Sequence, residues 1–528
     1  MLNMKNTILG LSLAAFLLSS CSDFLEEPVR GQQDLSEYFK TEDECKQQIT
    51  GCYHAIFYLD SWWQIQNFYV ISDMCTDDMW YGNTSQEPGG YKSLSHYTGD
   101  TQMAADLCQA FWQYRYKGIF CCNVAINRIP GVDFKDESLK KRYIAEAKFL
   151  RALFYFDLVK NFGGVPLITD VKMPEEIEGI TRASVEETYA FIEKDLKEAI
   201  PDLPRKNEYA EEDLGRATQG AAQGYLAKVF LYQEKYTEAE ARLDSIINVH
   251  KGEYRLLDDF GHVWDMAYNN SEESLFEVQT NNDTQYNLGL HMPVFCGSRD
   301  DSGWSWGLPT SNLEKAFLDE EDDIRLKWTI IKNGDVIPGD EGRGAYNIST
   351  ANHKSCRVTR KLYIPESARP VPYDATHIPL NYRLLRYADI LLMYAEVENA
   401  LGKDEQAREA LNEVRARVDL PEITSSGTEL RDDIRNERRL ELALESNRLY
   451  DLRRWKTDDG KPYICSIMGP NGSFVKYNQT STDEYEVSNQ KEPSNKGFTF
   501  NETRDLLFPI PISEITMSNN TIVQNPGY

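Results

Sequence analysis

Two polar, turn-rich stretches concentrate the side chains from which this chain could build a site. The first holds Trp62, Trp63, Trp80 and Tyr81 beside Asp73, Asp77, Asp78 and Asn83; the second holds Tyr286, Trp304 and Trp306 beside Arg299, Asp300 and Asp301. A pyranose ring offers an apolar C–H face edged by hydroxyls. An indole or phenol face with carboxylate, amide and guanidinium groups at its rim meets both halves of that chemistry. Tryptophan in a loop also packs the loop onto what lies beneath, and for each Trp taken singly that role stays open.

Catalytic chemistry finds weaker footing. Gly303-Trp304-Ser305-Trp306-Gly307 fits the nucleophile-elbow pattern G-x-S-x-G, and acidic residues, His353 and His377 follow in the order of an α/β-hydrolase triad. The elbow needs strand, sharp turn and helix. Here a polar loop precedes the motif, Pro309 interrupts it, and the next helix is predicted at Ser311, where Ser311 and Glu314 form an S-x-x-E box. Asp77-Asp78 and Asp300-Asp301 are paired acids of the kind a glycosidase uses. Neighbours in sequence do not place two carboxyls across a scissile bond, about 5–9 Å apart, and such pairs arise by chance among 84 Asp and Glu. No catalytic residue is assigned. Seven His without H-E-x-x-H and ten Cys without C-x-x-C give no metal or cofactor ligand set. The acidic run from Asp319 to Asp323 lacks the alternation and the Gly of a calcium loop and reads as a solvated helix end.

The elements that must position these residues are helices. Leu384, Tyr387, Ala388, Leu391 and Ala395 share one 3.6-period face, Gly402-Lys403 breaks the run, and Ala407, Ala410, Leu411, Val414 and Val418 form the next face. Small Ala residues at facing positions let two helices approach closely, the logic of a tetratricopeptide repeat of about 34 residues. A second unit covers 217–233 and 236–249, and a degenerate one pairs 108–126 with 139–162, where Gly163-Gly164 marks the stop. Ser184 with Glu187 reads as a capping box, and 35–58 as a further helix. Glu437, Arg438, Arg439, Glu441, Arg448, Asp451 and Arg454 recur at helical spacing and are read as ion pairs locking the C-terminal helices. Helical periodicity is lost over 59–100, 252–380 and 457–502, with short extended runs at 274–279 and 327–331. The predicted fold is mainly α: a tetratricopeptide-like scaffold, with repeat helices over 103–250 and 382–455, from which three long irregular inserts project.

At the N-terminus, Lys5 precedes an apolar run over 8–18 and then Ser19-Ser20-Cys21. The run is shorter than the ~20 apolar residues of a membrane span. Small residues before a Cys resemble a lipobox, implying cleavage before Cys21 and acylation of its sulfur. Residues 1–20 are then a signal peptide, 21–34 a lipidated tether and 35–528 one domain. Nine cysteines remain, an odd number that cannot all pair. With 57 Lys and Arg against 84 Asp and Glu, the net charge of −27 repels phosphate backbones and argues against nucleic acid as a partner.

The segments LLRYADILLMYAEVENALG (384–402), IRNERRLELALESNRLYDLRRW (434–455) and LLFPIPISEITMSNNTIVQNPGY (506–528) resemble, in order, the SusD/RagB family. The likeness extends to the lipoprotein signal and to AKFLRALFYFDLVKNFGGVPLIT (147–169). That family consists of outer-surface lipoproteins of Gram-negative bacteria that bind nutrients, mostly glycans, and pass them to a TonB-dependent outer-membrane transporter. The resemblance implies a SusD-like fold, a SusC-like transporter as partner, a surface-exposed outer-membrane location anchored through Cys21, and no cofactor. Asp23, Glu26 and Glu27 resemble the family's surface-export signal. Trp80, Tyr81, Trp304 and Trp306 fall where the family places its glycan-contacting loops. The candidate glycan-binding set is Trp80, Tyr81, Asn83, Asp78, Tyr286, Arg299, Asp301, Trp304 and Trp306. The competing classes are a serine esterase or glycosidase acting on surface glycans, and a protein-interaction scaffold built on the repeats.

Overall fold

The computed structural model describes residues 38–59, 63–82, 89–172, 176, 178–283, 285–349, 355–482 and 496–528. Cys21, Trp62, Asn83 and His353 lie outside them. Helix α1, Glu42–His54, opens on a capping box in which Thr41 Oγ1 accepts from Glu44 N and the Glu44 carboxylate accepts from Thr41 N. This start lies seven residues beyond the predicted 35, because the T-x-x-E pair sets it. Within the first insert stand α2 (Gln64–Met74), β1 (Met79–Tyr81) and α3 (Gly89–His96). The scaffold then runs through α4 (Thr101–Arg128), α5 (Glu137–Phe162), α6 (Val185–Ala199), α7 (Gln219–Leu231) and α8 (Tyr236–Asp244). α5 stops at Gly163, whose φ of 76° suits a residue without Cβ. α6 starts on the Ser184–Glu187 capping box that the sequence predicts. At Gly118 an added Cβ would lie 2.6 Å from the Phe154 ring, so the missing side chain is what lets α4 and α5 close together.

The long insert carries β2 (Ser274–Val278), α9 (Met292–Cys296), β3 (Gly307–Pro309), α10 (Ser311–Asp319), α11 (Asp323–Thr329), β4 (Ile330–Lys332) and β5 (Arg357–Thr359), and it ends at β6 (Tyr382–Arg386). α12 (Tyr387–Ala400), α13 (Asp404–Ala416), α14 (Gly427–Glu441) and α15 (Arg448–Arg454) complete the scaffold. The shorter α16 (Ile464–Ile467), α17 (Ser473–Thr480) and α18 (Ile512–Met517) follow. Each scaffold helix from α4 to α8 packs on its successor, and α8 then packs on α12, which in turn packs on α13 and α14. The helical stack is therefore continuous in space although the chain leaves it for the whole insert. Antiparallel pairing of β2 with β6 closes the insert at its base.

One hydrophobic core runs from Cys45 to Ile522, with a small satellite inside the insert around Ile331, Tyr346 and Val358. A buried ionic network crosses the main core. Arg386 Nη1 meets Glu273 at 2.8 Å and Glu441 at 2.6 Å, while its Nε meets Glu445 at 2.8 Å. Lys361 reaches Glu445 at 2.6 Å, Arg325 reaches Glu437 at 2.5 Å, and Arg417 pairs with Glu273 at 2.7 Å. Burial pushes the Glu445 carboxyl up, but Arg386 and Lys361 outweigh it and hold the group below its ordinary value. The C-terminal charges are structural, as read from sequence, yet their partners are mostly distant. Arg438 pairs with Asp389 at 2.9 Å and Arg448 with Asp77 at 3.0 Å, and of the seven only Arg454 with Asp451 forms an i,i+3 pair among themselves.

Three local expectations are corrected. α10 is capped by Thr310, whose hydroxyl accepts from Leu313 N, and not by Ser311; Glu314 instead pairs with Lys332 and Arg357. The run 327–331 is the end of α11 followed by β4, not one strand. Within the acidic run, Asp322 is buried, caps α11 by accepting from Arg325 N at 3.0 Å, and so is no solvated helix end.

Candidate functional site

A short ribbon joins the two aromatic stretches. β1 pairs antiparallel with β3, setting Trp80 opposite Leu308 and Tyr81 opposite Gly307, and Gly82 N continues the ladder to Trp306 O at 2.9 Å. Just before β3 the chain lies along the end of α9. Trp304 N donates to Val294 O, Ser305 N to Gly297 O and Trp306 N to Phe295 O, at 2.7 to 3.0 Å, so this segment satisfies carbonyls that a helix end leaves open. Gly303 and Gly297 make the approach feasible, since a Cβ on Gly303 would sit 2.1 Å from the Gly297 carbonyl carbon. Trp304 and Trp306 emerge with ring centroids 4.9 Å apart.

These rings belong to a longer arc. Trp63 stacks on His291 at 4.2 Å with 3° between planes, and His291 meets Trp304 at 4.9 Å and 69°. Trp306 meets Tyr91 at 5.8 Å, and Tyr91 stacks on Tyr81 at 5.5 Å and 18°. Trp63, Tyr91, Trp304 and Trp306 are each half-buried, held from beneath with part of the ring in solvent. α2 fixes the arc's inner layer: Gln66 Oε1 accepts from His291 N at 2.8 Å, Gln66 Nε2 donates to Gly289 O, and Asn67 Oδ1 faces His291 Nδ1 at 3.3 Å. Trp63 Nε1 donates to Asn287 Oδ1 at 3.1 Å, which also faces His377 Nε2 at 2.8 Å, while His377 Nδ1 faces Asp374 at 2.9 Å. Burial, reinforced by His377 and opposed by Asp374, pushes the His291 imidazole down to about 3. The ring is therefore neutral near pH 7 and, fully buried, supports the two indoles from beneath. Exposed Arg299 and Asp300, with half-buried Asp374 and His377, supply charge and hydrogen-bonding groups on the same loops.

The structure sorts the sequence candidates. Trp304, Trp306 and Tyr81 join the arc, although Tyr81 is 4% exposed and lies at its buried end. Trp80 does not join it: the ring is 1% exposed, packed against His96 and Phe474 with the Lys496 ammonium over its face at 5.4 Å. The reason is that β1 is buried on both sides, so strand alternation turns neither face to solvent. Asp78 is likewise a core residue, paired with Arg439 at 2.7 Å. Asp301 braces the loop through one oxygen, Oδ2 meeting Arg369 at 2.7 Å and Arg343 at 3.0 Å. Arg299 stays on the exposed rim, and Tyr286 is 62% exposed on the loop of Asn287. Tyr91, His291, Asn287 and Gln66 were not singled out from sequence, and His377 only for the elbow. Tyr91 carried a usable signal, an exposed-insert aromatic beside Trp80 and Tyr81.

Ser305 is fully buried, with a helix before it and a strand after it, the reverse of an elbow. Its Oγ accepts from Arg299 N at 3.0 Å and donates to Gly297 O, so the hydroxyl braces the turn. Among the described residues no group of three or more His, Cys, Asp or Glu is placed to hold a metal ion, and no helix is long and apolar enough to cross a membrane.

A tetratricopeptide-like helical stack that carries an aromatic arc on two ribbon-joined inserts defines a class of scaffolded recognition proteins. The chain belongs to the SusD family: the model of that description matches residues 261–528, and one described as "Starch-binding associating with outer membrane" matches residues 24–231. It is 27% identical to SusD-like protein P2 of Formosa agariphila over 97% of both chains. It is 25% identical to the starch-binding protein SusD of Bacteroides thetaiotaomicron over 74% of this chain and 73% of that one. A solved laminarin-binding SusD-like protein superposes with a TM-score of 0.75 at 28% identity, covering 93% of this chain and all of the other.

Proposed function

We propose that the protein captures an oligo- or polysaccharide at the cell surface on the arc formed by Trp63, Trp304, Trp306 and Tyr91, backed by His291, without cleaving it, and delivers it to a TonB-dependent outer-membrane transporter. The observation that carries this reading is the row of part-exposed rings, Trp63, Trp304, Trp306 and Tyr91, with Trp63 held by Asn287 and by the buried His291 that Gln66 and Asn67 fix. Prepositioned flat faces bind sugar C–H surfaces with little ordering cost. Starch and laminarin, named for two similar proteins, favour a glucan as the ligand. The buried hydroxyl of Ser305 supports a binding role over an esterase. Acylation at Cys21 would hold the protein on the outer membrane, and the polar outer faces of α8 and α13 offer a rigid surface for the transporter.

Electrophoresis of the purified protein through gels containing starch or laminarin, with product analysis of the same mixtures, tests the reading. Retardation without released sugar is expected. Release of oligosaccharide would overturn the binding role, and free migration through both glucans and a wider polysaccharide panel would overturn the arc. Detergent extraction of the tagged lipoprotein is expected to bring down a large β-barrel protein, and isolation of monomer alone would remove the delivery step.

A further inference from the structure

A second concavity, of about 260 Å³, lies where α14, the start of α10 and the segment after α15 meet, and it shares no residue with the arc. Its wall combines one cation that is only loosely paired within the fold with the accessible edges of Trp455 and Ile467, beside the Asp77 and Asp432 carboxylates. Arg435 lies against two rings, its guanidinium carbon 5.3 Å from the Trp455 centroid and 5.2 Å from that of Tyr463. Among the described residues its only hydrogen bond runs from Nη2 to Lys456 O, and the nearest carboxylate, Asp432, stays 3.8 Å from Nη1 while taking Arg431 at 2.9 Å. The other two guanidinium groups of the wall are committed: Arg439 to Asp77 and Asp78, Arg448 to Asp77. Arg439 also donates to Asn312 Oδ1 at 2.7 Å, which fixes that amide and leaves its Nδ2 as a donor with no partner among the described residues. Ser473 is exposed at the mouth.

A fork of N–H donors backed by two aromatic rings matches the two oxygens of a carboxylate, and the accessible edges of Trp455 and Ile467 suit the carbon skeleton behind it. Inorganic phosphate would leave those edges uncovered. The volume falls just under the usual range for ligand pockets, ~300–1,000 Å³, so the occupant is small. We infer that this pocket binds a small organic acid the size of one sugar ring, its carboxylate on Arg435 and Asn312. Such a site lies outside the glycan reading of the arc and stands whether or not that reading holds.

Titration calorimetry of the full-length protein with glucuronate, glucose and inorganic phosphate tests it. Glucuronate is expected to bind saturably, with glucose and phosphate at least tenfold weaker. Arg435→Gln should weaken glucuronate at least tenfold, and Ser473→Trp, which fills the mouth from an exposed position, should block it, with retardation in glucan gels unchanged in both. Absence of saturable glucuronate binding, equal binding of glucose or phosphate, or unchanged affinity in Ser473→Trp would overturn the inference. Ser473→Trp decides the matter if Arg435→Gln folds poorly.

Discussion

Replacing Trp304 and Trp80 separately by Ala distinguishes a ring that serves the ligand from one that serves the core. Trp80 is 1% exposed, and truncating a fully buried Trp costs about 3–5 kcal/mol through lost burial and the cavity left behind. Trp304 is half-buried, packed on one side by His291 and Trp306 at 4.9 Å each, so its removal should cost roughly half as much, ~2 kcal/mol. Affinity should order the other way. A stacked aromatic contact contributes about 1–3 kcal/mol by analogy with a stacked base, which is about a fivefold to 150-fold rise in Kd for Trp304→Ala. Trp80→Ala should leave the Kd of the folded fraction within about twofold. Calorimetric titration with a bound glucan oligosaccharide, run at a temperature where circular dichroism shows both variants folded, gives the comparison. If Trp304→Ala keeps wild-type affinity while folded Trp80→Ala loses it, the assignment of roles from exposure and ring geometry is wrong.

Three further outcomes follow from the same structure. Arg386→Met leaves Glu273, Glu441 and Glu445 short of their shared cation, and loss of one partner from a buried network costs about 3–5 kcal/mol, so the urea midpoint should fall sharply. An unchanged midpoint would show that the remaining cations suffice. For His291 the folded value of about 3 lies below the unfolded 6.5, so its contribution is complete above pH 6.5 and falls by about 1.4 kcal/mol per unit as pH drops from there toward 3. His291→Phe, which keeps a ring for Trp63, should flatten the stability profile over that window relative to wild type, and parallel profiles would refute the buried neutral imidazole. Cys21→Ala should move the protein from the membrane fraction to the soluble fraction on cell lysis, and sedimentation with outer membrane after a high-salt wash would count against the lipid anchor.

The scaffold was readable because its residue spacing is helical: α12 and α13 declare themselves by Ala and Leu spacing, and Ser184 with Glu187 marks the start of α6. α2 was not readable. Every residue from Ile65 to Met74 is buried, so no polar face marks a helical period, and its N-cap Trp63 sits at a φ of 54° without a side-chain cap. Half of the arc was legible as residue types, since Trp63, Trp304 and Trp306 stand out in turn-rich sequence. The other half depends on contacts that sequence spacing does not encode. His291 gains its place from Gln66, more than two hundred positions earlier, and Tyr91 meets Trp306 only because β1 pairs with β3. Trp80 misled for a related reason: sequence gives its neighbour Tyr81 and its loop context, but not the Phe474 and Lys496 that cover it.

The buried ionic network also sets an order of assembly. Arg325, Lys361 and Glu273 come from the long insert, Arg386 from the strand that closes it, and Glu437, Glu441 and Glu445 from α14 and the turn after it. Neither group can enter the interior alone, because an uncompensated ion there costs several kcal/mol even after relaxation. A chain emerging from a membrane channel N-terminus first would thus keep its insert undocked until residue 445 has followed. The insert loops and the final helices then lock together, so a truncated or stalled chain presents no finished surface and stays open to proteolysis.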